Sequence, residues 1–176
     1  MSGVSVDTSW LKQLHHAPKH IERAAMLAAK RTNRWLLLHA RSELKIELNI
    51  KGINNRFKPF HHGANGQSYT SKLWVGTNDL AVHKFGQPVQ LDGSTVRVGE
   101  DEYDNAFIRY VGNTPIVYER YAPHASTAGA RRQIRAVTKP ISEETKAIID
   151  ALTPQIDAKF KEFFDDELKS VLAKSI

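Results

Sequence analysis

The segment Ala106–Arg120 constrains the fold of this chain more than any other stretch, because it has the composition of a complete β-hairpin. Its two arms are rich in β-branched and aromatic residues, and Gly112-Asn113 between them permits the positive φ that tight turns require. Pro115 has no backbone N–H to donate, so the second arm must begin just after the turn or at a sheet edge. Alternation places three side chains on one face of the first arm, namely Phe107, Arg109 and Val111.

Further short strands are predicted on both sides of this hairpin, since β-branched runs there are bounded by turn residues. We expect them at Leu73–Gly76, Ala81–Phe85, Val89–Leu91, Thr95–Val98 and Ile134–Val137. Asp92-Gly93 indicates a turn between the third and fourth of these strands. The acidic patch Glu100–Glu102, with Asp104, is typical of a solvated loop.

Two long helical patterns flank the strands. The first runs from Lys19 to about Asn49, with a bend expected near Arg41–Leu44 because thirty helical residues would extend roughly 45 Å. Its expected core-facing stripe follows helical spacing through Ala24, Ala28, Trp35, Leu38, Ser42 and Ile46. The second helix is expected to begin near Ser142, with Glu143 and Glu144 at its positive end, and to be interrupted at Pro154.

These patterns predict an α+β fold, in which a small, mostly antiparallel sheet is packed by the N-terminal helix and the C-terminal helix. Two excursions, 57–72 and 122–133, are rich in Gly, Pro, Asn, Ser and Ala and are expected to be long loops. We expect residues 1–17 to be a flexible lead-in and residues 18–176 to be a single domain. A chain of 176 residues is long enough to bury a core without covalent staples.

The sequence offers no recognisable catalytic or metal-binding motif. There are no cysteines, which excludes disulfides and thiolate metal sites, and the eight histidines form no His-Glu-x-x-His pattern. Ser68, Ser71 and Ser126 are expected in loops without an identifiable base, and the glycines form no phosphate-binding fingerprint. We therefore expect no enzyme activity, no catalytic residue, no cofactor and no metal.

Secretion and membrane insertion are likewise not indicated. The first seven residues lack a basic start followed by an apolar run, and Trp35–Leu38 is the longest apolar run near the N-terminus, far too short to span a bilayer.

Basic residues are unevenly distributed along the chain. Residues 1–140 hold 20 Lys and Arg against 11 Asp and Glu, whereas residues 141–176 hold 5 against 8. Such asymmetry is compatible with nucleic-acid binding, with head-to-tail contacts between subunits, or with a basic surface that only aids solubility. The candidate contacts to an anionic surface or to another subunit are Arg31, Arg34, Arg41, Arg131, Arg132 and Arg135.

A nucleic-acid-binding module or nuclease therefore remains an alternative, supported by the pI of about 9.5. A nuclease site could be sought around His83 or His124 with Glu119 and Arg120, although their spacing does not select it. Glu119 and Arg120 are explained more simply as polar residues at the end of a strand.

The order of these features also resembles a known family. A long Ala/Arg helix that starts near Ala24 leads to a basic Leu-Asn-Ile-Lys-Gly-Ile-Asn-Asn-Arg-Phe segment at 48–57. Strand motifs follow at Lys72–Gly76, Gly93–Gly99, Asn105–Ile108 and Val117–Arg120, and a strand ending at Pro140 precedes the C-terminal helix. Over about residues 20–175 this order resembles the phage minor tail protein Z family, the tail completion proteins of lambda-like tailed phages.

The resemblance implies a structural virion protein of the head-proximal tail or neck, assembled in the cytoplasm of the bacterial host. It would form a ring, expected to be a hexamer because tails have six-fold symmetry, that completes the tail for head joining and DNA passage. The implied partners are further copies of the chain, tail terminator, tail tube or head–tail connector proteins, and DNA passing through the lumen, with no membrane partner. The chain is less basic than that family, which weakens the expectation of direct DNA contact more than the expectation of assembly.

Overall fold

A computed structural model describes residues 3–6, 19–63, 69–120 and 134–173 of the protein. Its α-helices are α1 (Lys19–Glu47), α2 (Ser142–Leu152) and α3 (Ile156–Ala173). The strands before the hairpin are β1 (Gly3–Val6), β2 (Phe57–His62), β3 (Thr70–Val75), β4 (Leu80–Ala81), β5 (Pro88–Gln90), β6 (Thr95–Val98) and β7 (Asp101–Asp104). The remaining strands are β8 (Ala106–Val111), β9 (Thr114–Arg120), β10 (Ile134–Ala136) and β11 (Thr138–Lys139).

The predicted α+β class is confirmed: a long N-terminal helix and a C-terminal helical region accompany small antiparallel sheets. The strands belong to several small sheets, with the orders β1-β3-β2, β5-β6-β7, β10-β9-β8 and β11-β4. The chain forms two compact units. The first comprises Met1–Leu44, Ile53–Thr77 and Glu143–Ile176, and the second comprises Lys45–Gly52 and Asn78–Ser142.

In the first unit, α1 lies against the β1-β3-β2 sheet through an alanine-rich face. The residues of α1 that are buried are Ala24, Ala25, Ala28, Ala29, Thr32, Asn33, Leu36, Ala40 and Leu44. Small side chains let the helix approach the sheet closely. Thr32 and Asn33 are tolerated there because the Thr32 hydroxyl donates to the Ala28 carbonyl at 2.9 Å and the Asn33 amide donates to the Lys72 carbonyl, also at 2.9 Å.

The predicted core stripe of α1 is therefore wrong beyond its first two alanines. Leu38 is 49% exposed, Ile46 is 77% exposed and Ser42 is also exposed, while Trp35 is only half-buried. The large apolar residues predicted one buried face of α1, whereas the face that is buried is the alanine-rich one. The helix also continues without interruption to Glu47, so no break occurs near Arg41–Leu44. Asn49, with φ of 49°, follows its end.

The predicted loop over 57–72 is also wrong for most of its length. β2 and β3 pair antiparallel from Phe57 opposite Val75 to His62 opposite Thr70, and residues 64–68 between them lie outside the described part. Pro59 is accommodated because β2 is at the edge of its sheet. The glycine, asparagine and serine residues that predicted a loop therefore belong to the sequence that connects β2 to β3. Gly3–Val6, in the predicted flexible lead-in, form β1 and pair with β3.

The second unit has a valine-rich core. Its buried members come from β6, β8 and β9, from the 3-10 turn after β4 and from the junction of β10 and β11: Val82, Val96, Val98, Ala106, Val117 and Val137. Backbone hydrogen bonds link the small sheets, because the Ala106 amide donates to the Ser94 carbonyl and the Val137 amide donates to the Val117 carbonyl, each at 2.9 Å. The segment before β6 is thereby connected to β8, and Val137 to β9. The Val82 amide, just after β4, donates in turn to the Val137 carbonyl at 3.0 Å.

The predicted hairpin is confirmed. β8 and β9 pair from Ala106 opposite Glu119 to Val111 opposite Thr114, which leaves Gly112-Asn113 as a two-residue turn. Gly112 has φ of 58°, the conformation that favours glycine at this position. Pro115 lies directly after the turn, where β9 pairs only with β8, as expected for a residue without an N–H.

Three other predictions have mixed outcomes. The strand expected at Ala81–Phe85 is only Leu80–Ala81, because Val82–Lys84 form a 3-10 turn. Most of the acidic patch expected as a loop lies in β7, which pairs with β6. Tyr103, which stands among the carboxylates, packs against the core. The interruption at Pro154 is confirmed by the 3-10 turn Thr153–Gln155 between α2 and α3. The excursion 122–133 lies outside the described residues.

Candidate functional site

The candidate arginines of α1 lie in three different environments. Arg31 forms ion pairs with Glu167 at 2.9 Å and with Asp166 at 3.4 Å, and its guanidinium lies 4.5 Å from the Phe163 ring centroid. Arg34 is exposed and has no ion-pair partner in the described part of the chain, and Arg41 is half-buried. Arg31 thus holds α3 to α1, and Arg34 is the member of this group that is available to a partner.

The other candidate arginines are Arg135 in β10 and the two arginines that precede this strand in the sequence. Arg135 pairs with Glu119 across the β9–β10 ladder, whereas Arg131 and Arg132 lie outside the described residues. The Arg135 pair gives Glu119 a structural partner, which fits the simpler explanation of Glu119 as a polar strand-end residue. His83 lies in the 3-10 turn Val82–Lys84, and His124 is outside the described residues.

The tip of the β8–β9 hairpin is a surface that the sequence analysis did not single out. Val117 and Ala106 anchor the base of the hairpin in the core, with 0% and 1% exposure, while Tyr110 and Val111 at the tip are 66% and 53% exposed. Arg109 precedes them and is exposed, without an ion-pair partner among the described residues. The apolar residues of β8 continue past the buried base of the hairpin to Tyr110 and Val111, and this was the signal for an exposed apolar tip. In the sequence the same pattern predicts only a strand.

The face of the hairpin that turns away from the core is aromatic. Phe107 and Tyr118 are directly opposite each other, with ring centroids 6.2 Å apart, and both are half-buried. The Arg120 guanidinium lies 4.8 Å from the Phe107 ring centroid, a favourable cation–π contact. Guanidinium and aromatic groups are therefore combined on this face.

Gln90 fixes the hairpin against the neighbouring sheet. Its side-chain amide donates to the carbonyls of Asp92 at 2.7 Å, Thr95 at 3.1 Å and Ala106 at 3.3 Å. Its side-chain carbonyl accepts the Ile108 amide at 3.1 Å. One side chain thus supplies the link between β5 and β8 that a backbone ladder would otherwise provide. Nothing in the sequence distinguishes this glutamine from one whose side chain contacts only solvent.

An open depression of about 500 Å³ lies in the same unit, beside the β6–β7 turn. Its lining residues are Glu100, Asp101, Glu102, Tyr103, Thr138, Lys139 and Pro140. The Lys139 ammonium contacts the Asp101 carboxylate at 2.7 Å, and this hydrogen bond and charge hold the pKa of Asp101 below its ordinary value. Glu100 and Glu102 are exposed and have no ion-pair partner in the part of the chain that the structure describes.

A polar network in the first unit corrects the prediction for Ser71. Ser71 lies in β3 and not in a loop, its Oγ accepts a hydrogen bond from the Asn33 amide at 2.7 Å, and His61 Nδ1 is 3.0 Å away. Burial, followed by the charge of Lys30, lowers the pKa of His61, which favours its neutral imidazole. Ser71 is only 1% exposed, so this arrangement ties α1 to the sheet and does not present a nucleophile. Ser68 and Ser126 are outside the described residues.

Within the described ranges, no three His, Asp or Glu side chains form a group that could hold a metal ion. None of the described helices combines the length and the hydropathy needed to cross a bilayer.

No family model matches the chain, and no curated protein or solved structure shows significant similarity to it. A functional proposal for this chain therefore depends on its own sequence motifs and on the residues described above.

Proposed function

We propose that this protein is a structural subunit of a phage tail, which assembles with copies of itself into a ring at the head-proximal end. The ring would complete the tail for head joining and for DNA passage. The order of sequence motifs over about residues 20–175, which resembles the phage minor tail protein Z family, supports the tail context, and six subunits are expected because tails have six-fold symmetry. The hairpin tip supports the assembly role.

The observation that carries the assembly role is the exposure of Tyr110 and Val111 at the end of a hairpin whose base is fully buried. Tyr110 and Val111 lie on opposite faces of the hairpin, so the tip exposes an apolar side chain on each face, and a partner that encloses the tip would bury both. Tyrosine is also enriched at the centres of interfaces. The base of the hairpin is held by the core and by Gln90, so the tip is presented on a supported element.

The experiment is a measurement of mass for the full chain, by light scattering and sedimentation, from micromolar to near-millimolar concentration. A ring of six copies of the 19.8 kDa chain would have a mass of about 120 kDa. Antibody labelling of purified tails should place the protein at the head-proximal end. A chain that stays monomeric and never enters tails would contradict the proposal.

A nucleic-acid-binding module is the second candidate, favoured by the contact between Arg120 and the Phe107 ring. Aromatic and guanidinium groups together on a sheet surface are used by proteins that stack on bases. Its test is a salt titration of DNA binding, in which the logarithm of the affinity falls with a slope of about −0.9 per phosphate contact on duplex DNA. Arg120→Ala should weaken such binding, and a lack of binding at low salt rejects this candidate.

A further inference from the structure

The hairpin tip combines apolar surface with one positive charge. Arg109, Tyr110 and Val111 are consecutive and exposed, with Arg109 and Val111 on one face of the hairpin and Tyr110 on the other, and Arg109 has no ion-pair partner among the described residues. Arg109 lies opposite Ile116 in the β8–β9 ladder, so its neighbour across the strands is apolar and cannot neutralise it. A partner surface that fits this tip needs an apolar contact for the tyrosine ring and a carboxylate for the guanidinium.

The depression beside the β6–β7 turn has both properties. Tyr103 and Pro140 contribute apolar lining, and Glu100 and Glu102 contribute carboxylates. The Asp101 carboxylate at the same place is already neutralised by Lys139. Glu102 lies opposite Arg97 in the β6–β7 ladder, so Glu100 is the carboxylate most available to a partner among the described lining residues.

We propose that the hairpin tip of one copy docks in this depression of a second copy of the chain, with Arg109 facing Glu100 and Tyr110 against Tyr103 and Pro140. The inference rests on the self-assembly in the proposed function and specifies the surfaces that carry it. The two surfaces differ and each subunit has both, so the contact is heterologous. Repetition of a heterologous contact from copy to copy produces a closed ring when its rotation closes.

The charges favour a second copy over nucleic acid as the occupant. Binding to a phosphate backbone needs several basic groups in a row, whereas the tip supplies one arginine. The depression carries unneutralised carboxylates, which would repel phosphates. A neighbouring copy satisfies both surfaces with a single contact, and complementary charges would also fix its orientation.

Two charge reversals test this contact in the full-length protein. Arg109→Glu makes the tip acidic, and Glu100→Lys makes the rim of the depression basic. Each variant alone brings like charges together at every contact, and we expect self-association to weaken about a hundredfold. The matched controls are Arg23→Glu and Glu43→Lys, the same reversals at exposed positions of α1. Both controls should associate like the wild type.

Mixing the two variants gives the sharper result. The acidic tip of Arg109→Glu fits the basic rim of Glu100→Lys, and the unchanged tip of Glu100→Lys fits the unchanged rim of Arg109→Glu. Equal amounts should therefore assemble with the two variants in strict alternation, which native mass spectrometry detects as a 1:1 composition. The double variant, which carries both reversals in one chain, should also recover assembly.

A neutral substitution provides an independent test. Tyr110→Ala removes the aromatic contact without a change of charge, and self-association should weaken at least tenfold, because buried tyrosines are common anchors of interfaces. Circular dichroism and the unfolding midpoint of each variant establish that the fold is retained. Tyr110 is largely exposed in the single chain, so its loss should leave the stability of the monomer unchanged.

The outcomes separate this inference from the proposed function. If the wild type assembles and the Arg109, Glu100 and Tyr110 variants assemble equally well, the docking contact is overturned while the assembly role stands. If the variants fail alone and neither the mixture nor the double variant recovers, the pairing of tip and depression is overturned. A wild type that is monomeric throughout overturns both. Loss of DNA binding in Arg109→Glu without any self-association would assign the tip to nucleic acid and also overturn the inference.

Discussion

Replacement of Gln90 by alanine tests whether one side chain fixes the hairpin to the rest of its unit. The substitution removes three bonds from the side-chain amide to backbone carbonyls and one bond from the Ile108 amide to the side-chain carbonyl. It removes no apolar side chain from the valine core, although Gln90 lies opposite the core residue Val96 in the β5–β6 ladder. The hairpin should remain folded but lose its lateral connection to β5.

The expected cost follows from these bonds. A typical intramolecular hydrogen bond contributes about 0.5–1.5 kcal/mol net, and water can reach the groups around an exposed glutamine and replace part of the loss. We therefore expect the free energy of unfolding to decrease by about 1–2 kcal/mol in total, which is less than the sum of four full hydrogen bonds. For a chain of this length that corresponds to a decrease in Tm of roughly 2–8 °C.

The assay combines urea unfolding with amide hydrogen exchange measured by NMR. In the Gln90→Ala protein, the Ile108 amide should exchange at least tenfold faster, while the Val117 amide in the core should change only with global stability. Gln87→Ala is the matched control, because Gln87 is also exposed in the same segment and makes no side-chain hydrogen bond among those described. If both variants have equal stability and equal Ile108 protection, Gln90 does not fix the hairpin and the reasoning is refuted.

Three further changes test the packing, the buried polar network and the helix contact. Val117→Ala removes two methyl groups from a fully buried site and should cost about 2–3 kcal/mol in urea unfolding; a cost below about 0.5 kcal/mol would contradict the assigned core. Burial lowers the pKa of both His61 and His83, so the unfolded state binds more protons below the ordinary value of 6.5. Stability should be greatest above pH 6.5 and fall as the pH falls through the folded-state values, and His61→Asn should reduce that fall, whereas an unchanged pH profile would contradict the assignment. Arg31→Ala should cost only about 0.5–1 kcal/mol at low salt, because the Arg31 side chain is 42% exposed and solvent screens its ion pairs, and the difference from the wild type should shrink in 1 M NaCl.

The hairpin could be predicted to the residue because local chemistry determines it. Gly112 supplies the positive φ, Pro115 limits where β9 can pair, and alternation separates Val117 from Tyr118. Pro154 likewise interrupts the helical region, because proline lacks the N–H that a helix interior requires. These features depend on neighbours in the sequence, so no knowledge of the tertiary packing was required.

The buried face of α1 could not be predicted in the same way. Leu38 and Ile46 suggested an apolar stripe, but the sheet accepts the alanine face, because the Asn33 side chain finds a hydrogen-bond partner in Ser71. That partner is 38 residues away, and its position depends on the pairing of β2 with β3. Helical periodicity gives the spacing of a buried face, whereas the tertiary partner decides which face it is.

The candidate site shows the same limit. Exposed charge made Arg31 a candidate contact, although the fold gives it internal partners on α3. Tyr110 seemed an ordinary strand residue, although the core ends before it. Whether an arginine is already paired, or a tyrosine left uncovered, depends on contacts between distant segments that no local pattern encodes.

Self-assembly through the hairpin tip is best tested by the mass of the chain in solution, followed against concentration together with that of its Tyr110→Ala variant. We predict that the wild type forms a closed assembly of about 120 kDa, six copies of the 19.8 kDa chain, and that Tyr110→Ala shifts the equilibrium at least tenfold toward the monomer. A wild type that remains at 19.8 kDa at every concentration, or a variant that assembles as well as the wild type, would contradict it.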